Sequence, residues 1–256
     1  MILAIDMGNT NIVIGCIDDE KTYFVERLST DKSKTALEYA MGFKTVLELY
    51  NIDIDKIQGA IISSVVPPSL NAVAEAVRKI VGKAPLIVGS GIKTGLNIKM
   101  DNPKTVGSDM IVDAVAGIQE YGAPLLIIDM GTATTISVID KEKNYIGGII
   151  APGVRLSMEA LASNAAQLYR VSLETPKRVI GKNTIDCMQS GLVLGAASQI
   201  DGMIERMEEE LGYSAKVVAT GGLAHTVIPL CKKDIIVDDD LLLKGLKIIY
   251  DKNQEA

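Results

Sequence analysis

The chain has 256 residues, with 26 Lys+Arg against 32 Asp+Glu, a formal net charge of -6 and 48% hydrophobic residues. That length allows one large domain or two of about half the chain each, either able to bury a core without staples. Charges spread along the whole chain argue against disorder, the lack of a basic cluster argues against nucleic acid as a partner, and no apolar run approaches the roughly 18 residues of a membrane span.

In chain order, Ile2 to Asp6 reads as a buried strand, followed by a tight glycine turn and a β-branched return strand at Ile12-Val13-Ile14. Thr35 to Tyr50 has helical spacing, Gly59 to Val66 is a strand closed by Pro67-Pro68, and Ser69 to Val81 reads as a helix behind a serine cap. Leu86 to Val88 is a short strand, Gly89 to Gly95 a plain connector, and Ser108 to Gln119 a helix. Tyr121-Gly-Ala-Pro124 marks a boundary. Beyond it come strands at Leu125 to Ile128, Ile136 to Ile139 and about Tyr145 to Ile150, then a helix from Val154 to Ala166 and a long helix from Thr184 to Leu211. Strands at Lys216 to Ala219 and Ile235 to Val237 precede a closing helix from Asp238 to Tyr250, with Asp238-Asp239-Asp240 as its cap and a frayed tail from Asp251 to Ala256. Mixed strands and helices in both halves predict two α/β lobes, residues 1–122 and 123–256.

The second half echoes the first. The segment Ile2-Leu3-Ala4-Ile5-Asp6-Met7-Gly8 recurs 123 residues later as Leu125-Leu126-Ile127-Ile128-Asp129-Met130-Gly131. So long an offset reads as a duplicated domain rather than a solenoid. Gly8 and Gly131 lack a Cβ, so backbone N–H groups there can approach an anion, and Asn9, Thr10, Thr132, Thr134 and Thr135 add short donors at the same tips. Asp6 and Asp129 would repel phosphate by several kcal/mol on the order-of-magnitude Coulomb scale, unless a bridging Mg2+ or monovalent cation reverses the sign. Each turn alone is as well explained as a plain hairpin; two in register are not. No G-x-x-x-x-G-K-[ST] occurs, which excludes a P-loop, and Ala219-Thr220-Gly221-Gly222 leaves room for a flat ring against backbone. Cys16, Cys187 and Cys231 show no C-x-x-C spacing and read as core residues of a protein in a reducing cytoplasm; His225, the one histidine, reads as a turn residue.

Taken together, Asp6-Met7-Gly8-Asn9-Thr10, Asp129-Met130-Gly131-Thr132-Ala133-Thr134-Thr135 and Thr220-Gly221-Gly222 resemble the phosphate and adenosine motifs of the actin, sugar-kinase and heat-shock chaperone ATPase superfamily. The closer resemblance, over nearly the full length, is to the type III pantothenate kinase family. It rests also on Asp101-Asn102-Pro103, Val106-Gly107-Ser108-Asp109, the stretch Gly147-Gly148 to Ala151-Pro152-Gly153, Gly181-Lys182-Asn183-Thr184 and Gln189-Ser190-Gly191. The resemblance implies a duplicated actin-like, ribonuclease H-like ATPase fold with the nucleotide in the cleft between the lobes. It implies transfer of the ATP γ-phosphate to the primary hydroxyl of pantothenate, giving 4'-phosphopantothenate at the start of coenzyme A biosynthesis.

By the same resemblance Asp109 is the catalytic aspartate. Asp6, Met7, Gly8, Asn9, Thr10, Asn11, Gly131, Thr132, Gly221 and Gly222 contact ATP. Met100, Gly107, Ser108, Asp109, Met110 and Thr184 lie at the pantothenate site. Mg2+ accompanies ATP, with Asp6 near it, directly or through water; Asp129 holds a monovalent cation, K+ or NH4+; and the protein is a cytoplasmic homodimer whose active site is completed at the subunit interface. Independently of the resemblance, Asp109 falls in the first turn of a helix, whose dipole favours an ionised carboxylate, and phosphoryl transfer needs only a weak base that orients the hydroxyl. Two positions depart from the family: Met110 stands where an arginine usually follows the aspartate, and Met100 where a tyrosine precedes it. Methionine supplies neither charge nor donor. Three readings follow: a pantothenate kinase with its substrate repositioned, a kinase for another small alcohol, and a nucleotide-binding regulatory relative without turnover, akin to a transcription accessory factor.

Overall fold

Both Asp-Met-Gly segments end a central strand in the computed structural model of the chain, which describes residues 1–254. The first half holds β1 (Ile2–Met7), β2 (Asn11–Ile17), β3 (Thr22–Ser29), α1 (Ala36–Leu49), β4 (Ala60–Ser64), α2 (Pro67–Val81), β5 (Leu86–Ile87), β6 (Asn97–Ile98) and α3 (Ser108–Tyr121). The second holds β7 (Leu125–Met130), β8 (Ala133–Ile139), β9 (Asn144–Pro152), α4 (Val154–Asn164), α5 (Thr184–Gln189), α6 (Gly195–Leu211), β10 (Lys216–Thr220), α7 (Ala224–Val227), β11 (Ile236–Val237) and α8 (Leu241–Lys252). Among the described residues no helix is long and apolar enough to cross a membrane.

The chain divides into two units. One comprises Met1–Leu96, Asp101–Glu120 and the described residues from Asp240 onward; the other comprises Asn97–Met100 and Tyr121–Asp239. Besides a boundary after Glu120 in place of residue 122, this differs from the expected division at two places. Strand β6 pairs in parallel with β9, and Asn97 donates to Asn144 Oδ1, which takes residues 97–100 into the second unit. Helix α8 belongs with the first, because Leu243, Leu246 and Ile249 are buried with Ile2, Ala4 and Ile61.

The first unit is a sheet in the order β3-β2-β1-β4-β5, with β1 antiparallel to β2 and parallel to β4. Its side chains alternate in period two: Leu3, Ile5 and Met7 pack with residues of α1 and α2, while Ile2 and Ala4 pack with α3 and α8. Helices on both faces bury every residue of β1, which explains why it reads as a continuous apolar run. The second unit repeats the core order as β11-β10-β7-β8-β9 and appends β6. Leu126, Ile128 and Met130 face a core shared with α4, α6 and α7. The same strand order and the same mixture of parallel and antiparallel neighbours give the duplication its structural form.

Several local expectations change. Helix α1 starts behind a capping box, Thr35 with Glu38, a feature beyond the expected helical spacing, and α2 starts two residues before Ser69, on Pro67 and Pro68 behind Val66. Proline at the first helical position loses no hydrogen bond and presets φ, so the prolines open the helix instead of closing the strand. The helix expected over Thr184 to Leu211 is interrupted by a π-helical turn, Ser190–Leu194. The acidic run does not cap α8 through its side chains: Asp239 pairs with His225 Nε2 at 2.8 Å and Asp238 accepts from the Tyr121 hydroxyl at 2.7 Å, while Asp240 makes no side-chain cap bond. Asp251 and Lys252 are helical and Asn253 is bonded to Lys93, so the tail is ordered to that point; Glu255 and Ala256 lie outside the described residues. Cys16 is a core residue, but Cys187 is exposed.

Candidate active site

In the first unit the turn Gly8-Asn9-Thr10 joins β1 to β2, and Gly8 N–H donates to Asn11 O at 3.0 Å. Thr30 clamps it from beyond β3: its hydroxyl donates to Gly8 O at 2.7 Å and its N–H to Thr10 O at 3.0 Å. Met7 is fully buried and contributes packing, whereas Asn9, Thr10 and Asn11 are exposed at the tip. Asp6 is buried at the end of β1, on the sheet face that carries α3, and its parallel neighbour in β4 is Ser63.

Ser63 links that strand to the start of α3. The Ser63 hydroxyl donates to Ser108 Oγ at 2.9 Å; Ser108 Oγ accepts from Ser64 N–H at 3.2 Å and donates to Ser64 O at 3.1 Å. The Ser108 side chain is thereby engaged in a staple to β4. The next residue, Asp109, accepts from Met110 N–H at 2.8 Å, and burial pushes its carboxyl above the ordinary carboxylate range. A Cβ at Gly107 would stand 2.4 Å from Asp109 Oδ1, so only glycine leaves room for this rotamer. Asp6, Ser63, Ser108 and Asp109 thus follow one another across β1, β4 and the first turn of α3. Sequence reading missed Ser63, Ser64 and Thr30: the first two partners lie 45 and 44 residues from Ser108, and Thr30 follows a strand, β3, that was itself not recognised.

In the second unit the turn Gly131-Thr132 joins β7 to β8, with Gly131 N–H donating to Ala133 O at 3.0 Å. Gly153, the residue before α4, donates to Thr132 O at 3.1 Å, and a Cβ there would come within 2.4 Å of that oxygen and 2.6 Å of Gly131 O. The turn is therefore backed by the start of a helix, another feature found only once the chain is folded. Asp129 is flanked in register by Thr135 on β8 and Thr220 on β10, both hydroxyl residues. Gly221 follows with φ +99°, and a Cβ on it would be 2.6 Å from both Asp129 Oδ1 and Met130 N. Its neighbour Gly222 has open space around it. Met100 and Thr184 also belong to this unit: Met100 Sδ lies 3.7 Å from where a Cβ on Gly147 would be, and Thr184 is exposed at the start of α5, behind the cap residue Asn183. The six expected substrate positions are thus split, with Gly107 to Met110 on the first unit and Met100 and Thr184 on the second.

The family model described as Type III pantothenate kinase matches residues 2–206. A protein of Exiguobacterium sp. described as "Type III pantothenate kinase" is 47% identical over 255 residues, which is 100% of either chain. Among solved structures, component A of (R)-2-hydroxyglutaryl-CoA dehydratase from Acidaminococcus fermentans has a TM-score of 0.58 at 14% identity, covering 100% of this chain and 99% of that one. MreB 5 of Spiroplasma citri bound to AMPPNP has a TM-score of 0.56 at 9% identity, covering 99% of this chain and 97% of that one. These two show the fold, that of actin-like ATPases and sugar kinases.

Proposed function

The chain belongs to the type III pantothenate kinase family, and from that premise we propose how its residues divide the work. The reaction is ATP-dependent phosphorylation of pantothenate, the first step of coenzyme A biosynthesis. The observation that carries the residue assignment is a partly buried, desolvated carboxylate, Asp109, opening a helix whose start is bolted to the strand beside Asp6. Asp109 accepts the proton of the substrate's primary hydroxyl as that oxygen meets the γ-phosphorus, with the P–O bond to ADP breaking. A loose transition state asks for alignment more than for basicity, and the raised pKa brings the carboxylate closer to the operating pH.

The first unit supplies Asp6, Met7, Gly8, Asn9, Thr10 and Asn11 to ATP, with backbone amides of the turn toward phosphate and Met7 as buried support. The second supplies Gly131 and Thr132 to phosphate and Gly221 and Gly222 to the adenosine. Asp6, a hard oxygen donor beside the glycine turn, would hold a magnesium ion that accompanies ATP, directly or through water. Such an ion would supply charge neutralisation to the transferring phosphate. Asp129, packed against Gly221 and flanked by two threonines, fits a monovalent cation, K+ or NH4+. The residues proposed for pantothenate are Gly107 to Met110 on the first unit and Met100 and Thr184 on the second; since Met110 has no guanidinium fork, the amides that open α3 are the donors the first unit offers to a carboxylate.

Replacing Asp129 with alanine is expected to lower turnover by at least the roughly 10-fold typical of damage to a metal's ligand shell, and to abolish any preference for K+ over Na+. Initial rates in the two salts check this; a wild-type enzyme indifferent to the exchange would remove the monovalent cation. The reading includes a cytoplasmic homodimer, supported by the three free cysteines and by the exposed apolar side chains Ile150, Leu156 and Leu161 on the second unit. Sedimentation equilibrium is expected to give twice the 27.3 kDa of one chain, and a single-chain mass would contradict it.

A further inference from the structure

Gln189, Ser190 and Gly191 form one of the motifs behind the family resemblance, and the first two side chains bond to the chain between α4 and α5. Both hold residues 165–183, which run between α4 and α5 without helix or strand. A connection that long inside a domain is usually a working part. Gln189 Nε2 donates to Ser172 O at 3.0 Å and to Ser172 Oγ at 3.1 Å, and the Ser190 hydroxyl donates to Val179 O. The π-helical turn starts at Ser190; such turns sit frequently at functional sites, and this one leaves Leu192 and Val193 in the core while Ser190 faces the strap. Further along, a Cβ on Gly181 would be 2.4 Å from Cys187 N, so the strap lies directly on the first turn of α5. Asn183 then closes that turn, its Oδ1 accepting from Asp186 N–H at 2.9 Å.

We infer that Gln189 and Ser190 are positioning residues for the alcohol substrate: by tying the strap at residues 172 and 179 they set the backbone that delivers Thr184 at the start of α5. The inference rests on the proposed contact between Thr184 and pantothenate. A tie that served stability alone would also hold the strap, but its loss would not be confined to one substrate, and it would not depend on Thr184.

Steady-state kinetics on the full-length enzyme separate the two. Gln189→Glu keeps the side chain's size but sets a carboxylate against the Ser172 carbonyl, and Ser190→Ala removes one donor. Each is expected to raise the KM for pantothenate at least about fivefold, the scale of a lost hydrogen bond, with kcat and the KM for ATP within about twofold. Ser190→Thr, which keeps the hydroxyl, is expected to restore the pantothenate KM. In a Thr184→Ala background the Ser190→Ala change is expected to add nothing, since both act through one contact. Unchanged pantothenate KM in Gln189→Glu and Ser190→Ala, with Thr184→Ala still raising it, would overturn the strap inference alone. Additive effects in the double variant would overturn it as well. If Thr184→Ala itself leaves that KM unchanged, the substrate contact falls and the inference with it. Gln189 is only half-buried, so its variant serves if Ser190→Ala folds poorly.

Discussion

An Asp109→Asn variant is expected to lose roughly 100- to 10,000-fold in phosphoryl transfer, the range for a positioned acid–base group, while still binding ATP. The amide is isosteric and can keep the bond from Met110 N–H through its carbonyl oxygen, so the helix start should survive. What is lost is the acceptor for the substrate proton. The same change is expected to stabilise the protein near neutral pH. Burial raises the pKa of Asp109 in the fold, so the native state binds that proton more tightly than the unfolded chain does. Its contribution to stability is then present at low pH and is lost as pH rises from the ordinary carboxylate range through the raised folded value. Asparagine carries no such dependence. Melting curves of the two proteins should therefore be furthest apart at neutral pH and converge on acidification; a variant less stable than wild type near neutrality would contradict the burial argument.

Gly221→Ala is the second large effect. The new methyl must accept a φ of +99° and stand 2.6 Å from Asp129 Oδ1 and from Met130 N. The backbone strain costs about 1–2 kcal/mol and the overpacking roughly 1–3 more. For a chain of this size that corresponds to a fall in Tm of roughly 5–15 °C, accompanied by loss of ATP and cation binding because Asp129 is displaced. Gly222→Ala provides the contrast, since its Cβ would meet nothing within 4 Å. Equal melting temperatures for the two variants would show that the close approach of Gly221 to Asp129 is not needed.

What could be read from the sequence was local. Leu3-Ala4-Ile5 before Asp6-Met7-Gly8, and its echo around Asp129, combine a buried strand with a turn that needs glycine, and neither property depends on distant residues. Strand β3 escaped notice because Glu26 and Arg27 sit in an edge strand that is only half-buried, so its apolar signal is weak. Two-residue strands such as β6 have no periodicity to detect. The partner of α8 is also invisible locally, since its apolar face would suit either unit and the choice is made by Ile2, Ala4 and Ile61 far away in the chain. A π-helical turn shares its residue preferences with the α-helix around it, so Ser190–Leu194 read as uninterrupted helix. At the candidate site, Asp6, Asp109 and Asp129 can be proposed from local motifs, whereas the Ser63–Ser108 staple, the Thr30 clamp and the seat of Gly153 under Thr132 are products of folding.

The most direct test follows ADP and 4'-phosphopantothenate together, with ATP, Mg2+ and K+ present and pantothenate added or withheld, for the wild-type enzyme and for Asp109→Asn. The predicted result is ADP release that requires pantothenate, matches phosphopantothenate mole for mole, and is nearly abolished in the variant. ADP release indifferent to pantothenate, or transfer that persists at the wild-type rate in Asp109→Asn, would contradict the assignment of Asp109 as the group that receives the hydroxyl proton.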